Sequence, residues 1–359
     1  MTDFSFDFDH WLLWRQLLWW SLTIAGLVSA LVAFTAYKYS ARRNTFLFSI
    51  LLLAGMLILL GCYPIEWGYS TDRANYAQYF LAFKNGLSKV DFSTEEVGFQ
   101  LIQYFFSRFL NVTQFMFVIS LIYLVNYYIA IRKMVRGNSY WLLIAAVLSM
   151  GFVSYNLNTM RAGLAISFVV LALSDYKSLW RLIALLAVAV SIHTSMVIPG
   201  AMILICRRFD NTPLFFRLWM ISIPLSFVAG GFFNGLFAGM GEDQRTSYLT
   251  TTESRYNIGF RIDFILYSLI PVLVGWYYKY RKGFDKDRFY SLVYNAYLLT
   301  NIFWILVIRA NYSDRFAYLS WFMIPFVLVY PLLKQKMSLR EGTWLGMILL
   351  GENIFRLFI

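Results

Sequence analysis

Five arginines stand at the borders of apolar runs: Arg161, Arg255, Arg261, Arg309 and Arg315. A guanidinium presents a planar fork of donors that matches phosphate or carboxylate oxygens two at a time, so arginines set at the ends of apolar segments point to an anionic ligand. Arg161 follows NLNTM and enters RAGLAISFVVLAL; a cation entering an apolar helix costs a few kcal/mol unless it reaches the interface or finds a partner. Arg309 and Arg315 flank a short loop that also holds Asp314, with Tyr318 one turn further on. Two readings stand for these cations, anion recognition or contact with lipid headgroups.

His193 lies in AVAVSIHTSMVIPG, where two apolar runs meet. A lone imidazole there is either a hydrogen-bonded structural group or, with an ordinary pKa of about 6.5, a base suited to proton transfer at neutral pH. No HxxxH or Cys partner accompanies it, so the sequence implies no metal and no cofactor. In YPIEWGYSTDRANYAQYF, Glu66, Asp72, Arg73 and Tyr76 fall close together, with Asp72 and Tyr76 on one helical face. A carboxylate beside aromatic rings can hold a sugar, the ring stacking on its apolar face; an interfacial helix with Asp72 as N-cap is the other reading. Glu95 and Glu96 follow Ser93-Thr94 and open another helical patch, where acidic residues suit the helix N-terminus. Arg255, Tyr256 and Arg261 belong to a further cluster, ESRYNIGFRID.

The elements that must position these groups are transmembrane helices. The chain has 359 residues, of which 60% are hydrophobic and 14% charged, with a mean hydropathy of +0.59. Soluble domains carry about 25% charged residues, so a soluble catalytic domain is excluded. Apolar runs fall at about 18–37, 45–63, 112–131, 139–155, 162–175, 179–193, 195–206, 214–233, 262–280, 289–308, 316–333 and 343–358. At about 20 residues per crossing, they predict an all-α polytopic integral membrane protein with about 11–12 transmembrane helices. The chain 1–359 reads as a single transmembrane domain with two longer loops, 64–111 with short amphipathic helices and 234–261.

If each run crosses, the segments containing Lys38 and Arg42, Arg132 and Arg136, Lys177 and Arg181, Arg207 and Arg208, Lys279 to Arg288, and Lys334 and Arg340 share one side. The positive-inside rule makes that side cytoplasmic. The net charge of +12 is then mostly a topology signal and implies no nucleic-acid partner. The outer segments carry their basic charge chiefly as Arg, which again suggests an anion approached from outside.

The order of these landmarks resembles the EpsG-like branch of Wzy-type repeat-unit polymerases. The resemblance rests on GYSTDRANY (68–76), EEVGF (95–99), TMRAGLAISF (159–168), SIHTS (191–195) and SDRFAY (313–318). Where that branch often has Arg-Gln before its Ala-rich span, this chain has Arg161-Ala162. The resemblance implies a GT-C-like glycosyltransferase at the periplasmic face of the bacterial inner membrane, building O-antigen or exopolysaccharide. Its expected partners are an undecaprenyl-pyrophosphate-linked oligosaccharide, the lipid bilayer and a chain-length regulator protein. On that basis Arg161, Arg309 and Arg315 bind pyrophosphate, with Arg255 or Arg261 as further clamps. His193 is the base, with Asp72 and Glu66 as rivals, while Tyr76, Arg73, Glu95, Tyr256 and Tyr318 seat sugar. An O-antigen ligase, or a flippase or transporter of lipid-linked oligosaccharide, are the alternatives.

Overall fold

A computed structural model describes residues 8–35, 45–66, 72–238, 260–310, 313–335 and 337–358. Among them every regular element is helical. Five helical stretches are long and apolar enough to cross a membrane: Asp9–Thr35, Val112–Met134, Thr212–Phe233, Arg288–Leu306 and Ser313–Lys334. Shorter apolar helices occupy Phe46–Gly61, Ser139–Leu148, Met160–Ser174 and Leu179–Ile192. With internally satisfied backbones and apolar exteriors, helices of this kind are what a bilayer admits.

The chain divides into two compact units, one of residues 1–197 with 332–359 and the other of residues 198–331. The first contains α1 (Phe8–Thr35), α2 (Phe46–Gly61), α3 (Asp72–Lys84), α4 (Val97–Ser107), α5 (Val112–Met134), α6 (Ser139–Leu148), α7 (Phe152–Leu157), α8 (Met160–Ser174), α9 (Leu179–Ile192) and the C-terminal helix (Leu339–Phe358). Helix α1 begins ten residues before the apolar run that announced it, and α4 begins at Val97 in place of residue 95. Asn111 starts α5 through a capping box with Gln114, a reciprocal arrangement that satisfies two otherwise unpaired backbone donors.

The run at 139–155 is broken. Helix α6 stops at Leu148, Gly151 adopts a left-handed φ of 96°, and α7 restarts at Phe152. Side chains of α5 secure the break: the Tyr123 hydroxyl donates to the Phe152 carbonyl (3.1 Å) and Ser120 donates to Asn156 Oδ1 (2.8 Å). Helix α8 then packs beside α5, with the Asn126 amide donating to Ser167 (3.0 Å) and Lys133 paired with Asp175 (2.6 Å). These contacts run in the same chain order on both helices, so α5 and α8 are parallel. Gly163 lets α8 touch α7 through backbone: a Cβ there would lie 2.0 Å from the Tyr155 carbonyl oxygen.

The second unit contains the bulk of α10 (Val197–Arg208), then α11 (Thr212–Ala238), α12 (Ile262–Arg281), α13 (Arg288–Leu306), α14 (Ser313–Trp321) and most of α15 (Ile324–Lys334). Its core is aromatic, with Trp219, Trp304, Trp321, Tyr290, Tyr294 and Tyr297 fully buried. Some polar ends within that core are matched: Trp219 donates to Asn301 Oδ1 (2.8 Å), and the Asn301 amide donates to Ser320 (2.9 Å). At the Arg281 end of α12 its buried Lys279 donates to Asp210 (2.7 Å), which also accepts from the Asn295 amide (2.8 Å). The C-terminal helix of the first unit is numbered α16.

Candidate functional site

The centre of the site in the first unit is Glu96. It occupies the residue before α4, the N-cap position, yet its carboxylate makes no capping bond to that helix. It reaches the junction that follows α9, where its Oε1 accepts from the Thr194 N–H (3.0 Å) and from the Thr194 hydroxyl (3.2 Å). Glycine makes the reach possible: a Cβ on Gly98 would lie 2.5 Å from the Ser191 hydroxyl oxygen and 2.7 Å from its carbonyl oxygen. Helix α4 therefore lies directly on the backbone of α9, two residues short of His193.

Two sequence candidates converge on that carboxylate. Arg161, in the first turn of α8, places Nη1 2.6 Å from Glu96 Oε2. His193 closes α9 in an extended conformation (φ −151°) and places Nδ1 3.1 Å from Glu96 Oε1. A bare imidazole nitrogen and a carboxylate oxygen at that distance would repel, so the geometry calls for a proton on Nδ1. Ser195 also faces this nitrogen, with its hydroxyl oxygen at 3.1 Å and its N–H at 3.4 Å; the hydroxyl oxygen is a second acceptor for a proton on Nδ1, and the N–H contact is the longest of the three. With Nδ1 protonated, the lone pair of a neutral imidazole sits on Nε2. Carboxylate and histidine thus have the arrangement in which an acid fixes a base's tautomer and stabilises the imidazolium it forms.

Arg161 keeps donor capacity in reserve. Its side chain is 28% exposed, against 10% for that of Glu96, and its buried Nε has no hydrogen-bond partner. Tyr76, on α3, stands with its ring centroid 6.0 Å from the Arg161 guanidinium and packs edge-on against Phe99 of α4. The Gln103 amide of α4 donates to the Tyr76 carbonyl (3.1 Å), which ties the two loop helices together. Elements α3, α4, α8 and α9 therefore bring a tyrosine ring, a carboxylate, a guanidinium and an imidazole to one place.

Of the other candidates in this unit, Arg73 binds backbone. Arg73 is 4% exposed, and its Nη2 donates to the carbonyls of Tyr63 (3.0 Å) and Leu60 (3.4 Å) at the end of α2. Burial pushes its pKa down to about 10, opposed by the charges of Tyr63, Cys62 and Glu66. Arg73 and Glu66 are thus electrostatic neighbours around the C-terminus of α2, where a basic side chain complements unpaired carbonyls. Asp72 begins α3, and Glu95 is exposed. Among the described residues, no three His, Cys, Asp or Glu side chains converge as a metal-ligand set would require.

In the second unit, Arg261 precedes α12 and pairs with Asp263 (2.6 Å), its guanidinium 3.6 Å from the Phe264 ring centroid. Asp314 and Tyr318 lie within its electrostatic reach, and Asp314 in turn feels Arg315. Arg309 donates to the Phe227 carbonyl (2.9 Å) just before Ala229, a non-helical residue that interrupts α11. Arg255 and Tyr256 lie outside the described residues.

Sequence reading saw Glu96 as a helix-capping acid. The signal that distinguishes it is Gly98 two residues on, a residue whose missing side chain brings the start of α4 onto its neighbour.

A helical chain with several bilayer-length apolar helices, and with its charged groups gathered at helix ends, is a polytopic all-α membrane protein. It belongs to the EpsG family, whose family model matches residues 46–350, and is accordingly a membrane protein of the exopolysaccharide or O-antigen polymerase type. No curated protein and no solved structure matches the chain.

Proposed function

We propose that this protein is a glycosyltransferase that polymerises oligosaccharide repeat units carried on undecaprenyl pyrophosphate, at the outer face of the bacterial inner membrane. The observation that carries this reading is the shared carboxylate of Glu96 between Arg161 and His193. In the reaction, a hydroxyl of one lipid-linked unit attacks the anomeric carbon of the other. The new glycosidic C–O bond forms, the bond to pyrophosphate breaks, and the hydroxyl proton leaves. His193, held by Glu96, takes the proton. Arg161 stabilises the negative charge that develops on the departing pyrophosphate, an effect largest when the donors are already in place. Arg309, Arg315 and Arg261, in the second unit, are candidates to bind an anion there, and Tyr76 offers a ring for a sugar face.

Sidedness follows from charge. Arg132, Lys133 and Arg136 cluster at the far end of α5, where the parallel α8 also ends. The positive-inside rule puts that end in the cytoplasm, which leaves Arg161, at the opposite end of α8, facing outward.

The test is complementation of a polymerase-null strain, with the surface polysaccharide resolved on a gel. Arg161→Lys and Arg315→Lys keep the charge and lose the fork; each is expected to lower polymer yield by about 100-fold, the scale of removing one transition-state donor. His193→Ala is expected to cost about 100-fold or more. Normal-length polysaccharide from both lysine variants would overturn the anion assignment. Full activity of His193→Ala would remove its role as base. Loss of the gene should leave core capped with a single repeat; uncapped core with accumulated lipid-linked polymer would mean a ligase.

A further inference from the structure

The end of α5 opposite the Glu96 site has a second concentration of chemistry. A cavity of about 570 Å³ is lined by Tyr128, Ile129, Arg132, Lys133, Arg136 and Gly137. Arg132 lies in the last turn of α5 and Arg136 in the turn just beyond it, and two like charges lining one cavity repel. Asp175, the carboxylate paired with the neighbouring Lys133 (2.6 Å), is shared with Arg181 (3.4 Å). Among the described residues, neither Arg132 nor Arg136 makes an ion pair or a hydrogen bond with another group.

Both arginines are exposed, but Arg132 is held in place. The Arg132 guanidinium sits 5.2 Å from the Phe46 ring centroid and 5.8 Å from that of Tyr128, so two aromatic faces set its direction. The Tyr128 hydroxyl is buried and has no hydrogen-bond partner. Thr45, which precedes α2, donates its N–H (3.2 Å) and hydroxyl (3.0 Å) to the Gly137 carbonyl, which fixes the start of α2 against the turn after α5. That turn requires glycine, since Gly137 has a φ of 86°. A charge serving only to orient a helix in the membrane needs none of this: no cavity, no aromatic clamp and no fixed turn.

The exposed face of α5 says what kind of anion fits. Leu121, Val125 and Ile129 are 37%, 38% and 39% exposed and follow one another at four-residue spacing. They form an apolar stripe on a bilayer-length helix that runs directly into Arg132 and Arg136. A ligand that complements both parts has a hydrocarbon chain and a phosphate. We propose that this end of α5 binds the phosphate of an anionic phospholipid, with Arg132 and Arg136 as the clamp, Lys133 and Tyr128 at its edge, and an acyl chain along the stripe. Basic pockets among transmembrane helices are a known form of headgroup recognition. Between Arg161 and Asp175, α8 rises roughly 20 Å at 1.5 Å per residue, so this lipid is a different molecule from any substrate at Glu96.

Native mass spectrometry of the full chain in detergent tests the proposal, with phosphatidylglycerol, phosphatidylcholine and glycerol 3-phosphate as probes. Phosphatidylglycerol is expected to bind at least tenfold more tightly than phosphatidylcholine. Arg132→Gln with Arg136→Gln should abolish that preference, and Arg132→Lys with Arg136→Lys, which keeps the charge, should retain part of it. Tyr128→Phe, a change that leaves packing intact, should weaken phosphatidylglycerol severalfold. Arg281→Gln with Lys282→Gln removes equal charge elsewhere and should change affinity less than twofold. Equal affinity for the two lipids, equal losses in the two glutamine pairs, or unchanged binding by both the lysine pair and Tyr128→Phe would overturn the site. Competition by glycerol 3-phosphate at phosphatidylglycerol's own affinity would identify a soluble phosphate ligand and overturn the lipid assignment.

Discussion

Glu96→Gln is the most searching single change, because the amide is nearly isosteric and alters only charge and donor pattern. If its oxygen stays toward Thr194, its NH₂ points at Arg161 Nη1 across a space that held a 2.6 Å ion pair, donor against donor. If it flips, the NH₂ meets the Thr194 N–H and the proton on His193 instead. Either orientation breaks one side of the bridge. A hydrogen bond to a charged group contributes about 1.5–3 kcal/mol, and the 28% exposure of Arg161 moves the value to the lower part of that range, so the expected loss is about 2 kcal/mol. Chemical denaturation of the purified protein in detergent measures it. A double-mutant cycle with Arg161→Gln isolates the pair, with an expected coupling of about 1–2 kcal/mol. Polysaccharide profiles of the same variants read the effect on function. Unchanged stability of Glu96→Gln, or strictly additive variants, would refute the bridge as the organiser of this site.

Two other perturbations bear on the scaffold. Gly163→Ala should destabilise by about 3 kcal/mol or more, because the added Cβ meets the Tyr155 carbonyl at 2.0 Å and backbone yields poorly; a loss under 1 kcal/mol in the same denaturation assay would contradict that contact. Asp210→Asn tests a charge. Burial alone would raise the Asp210 pKa, but hydrogen bonding and charge from Lys279, with Asn295 and Thr212, hold it below its usual 3.8. Its contribution is therefore complete above pH 3.8 and is lost as pH falls through the lower folded value. Since Asp210 is half-exposed, the variant should be about 1 kcal/mol less stable at neutral pH, with the gap closing in acid. A gap that widens below pH 3.8 would show the opposite linkage.

Hydropathy made the helices legible because a bilayer imposes the same requirement on every crossing. The break between α6 and α7 was not legible in 139–155: its apolar composition continues through Gly151, and only the left-handed conformation of that residue marks the stop. Arg161 and His193 were visible as ionisable groups at the ends of apolar runs, a position that is costly without a reason. Glu96 was not, because an acid before a helix already has a sufficient local explanation. Its actual partners lie 65 or more positions away, and local spacing carries no information about them. Arg73 shows the converse: its neighbours Asp72 and Tyr76 suggested a sugar, while its Nη2 reaches carbonyls around the end of α2, a helix that stops twelve residues earlier.

The backbone contact at Gly163 also restricts how the chain can change its length. Arg161 stands two residues before that contact, and each residue of an α-helix turns its neighbours by about 100°. One residue inserted between them would leave the seam in place and swing the guanidinium about a quarter-turn away from Glu96. A lysine or glutamine at position 161 can be compensated in part; a shift of register there cannot. Insertions and deletions that leave the protein working must therefore fall outside this short interval, whatever liberty the loops enjoy.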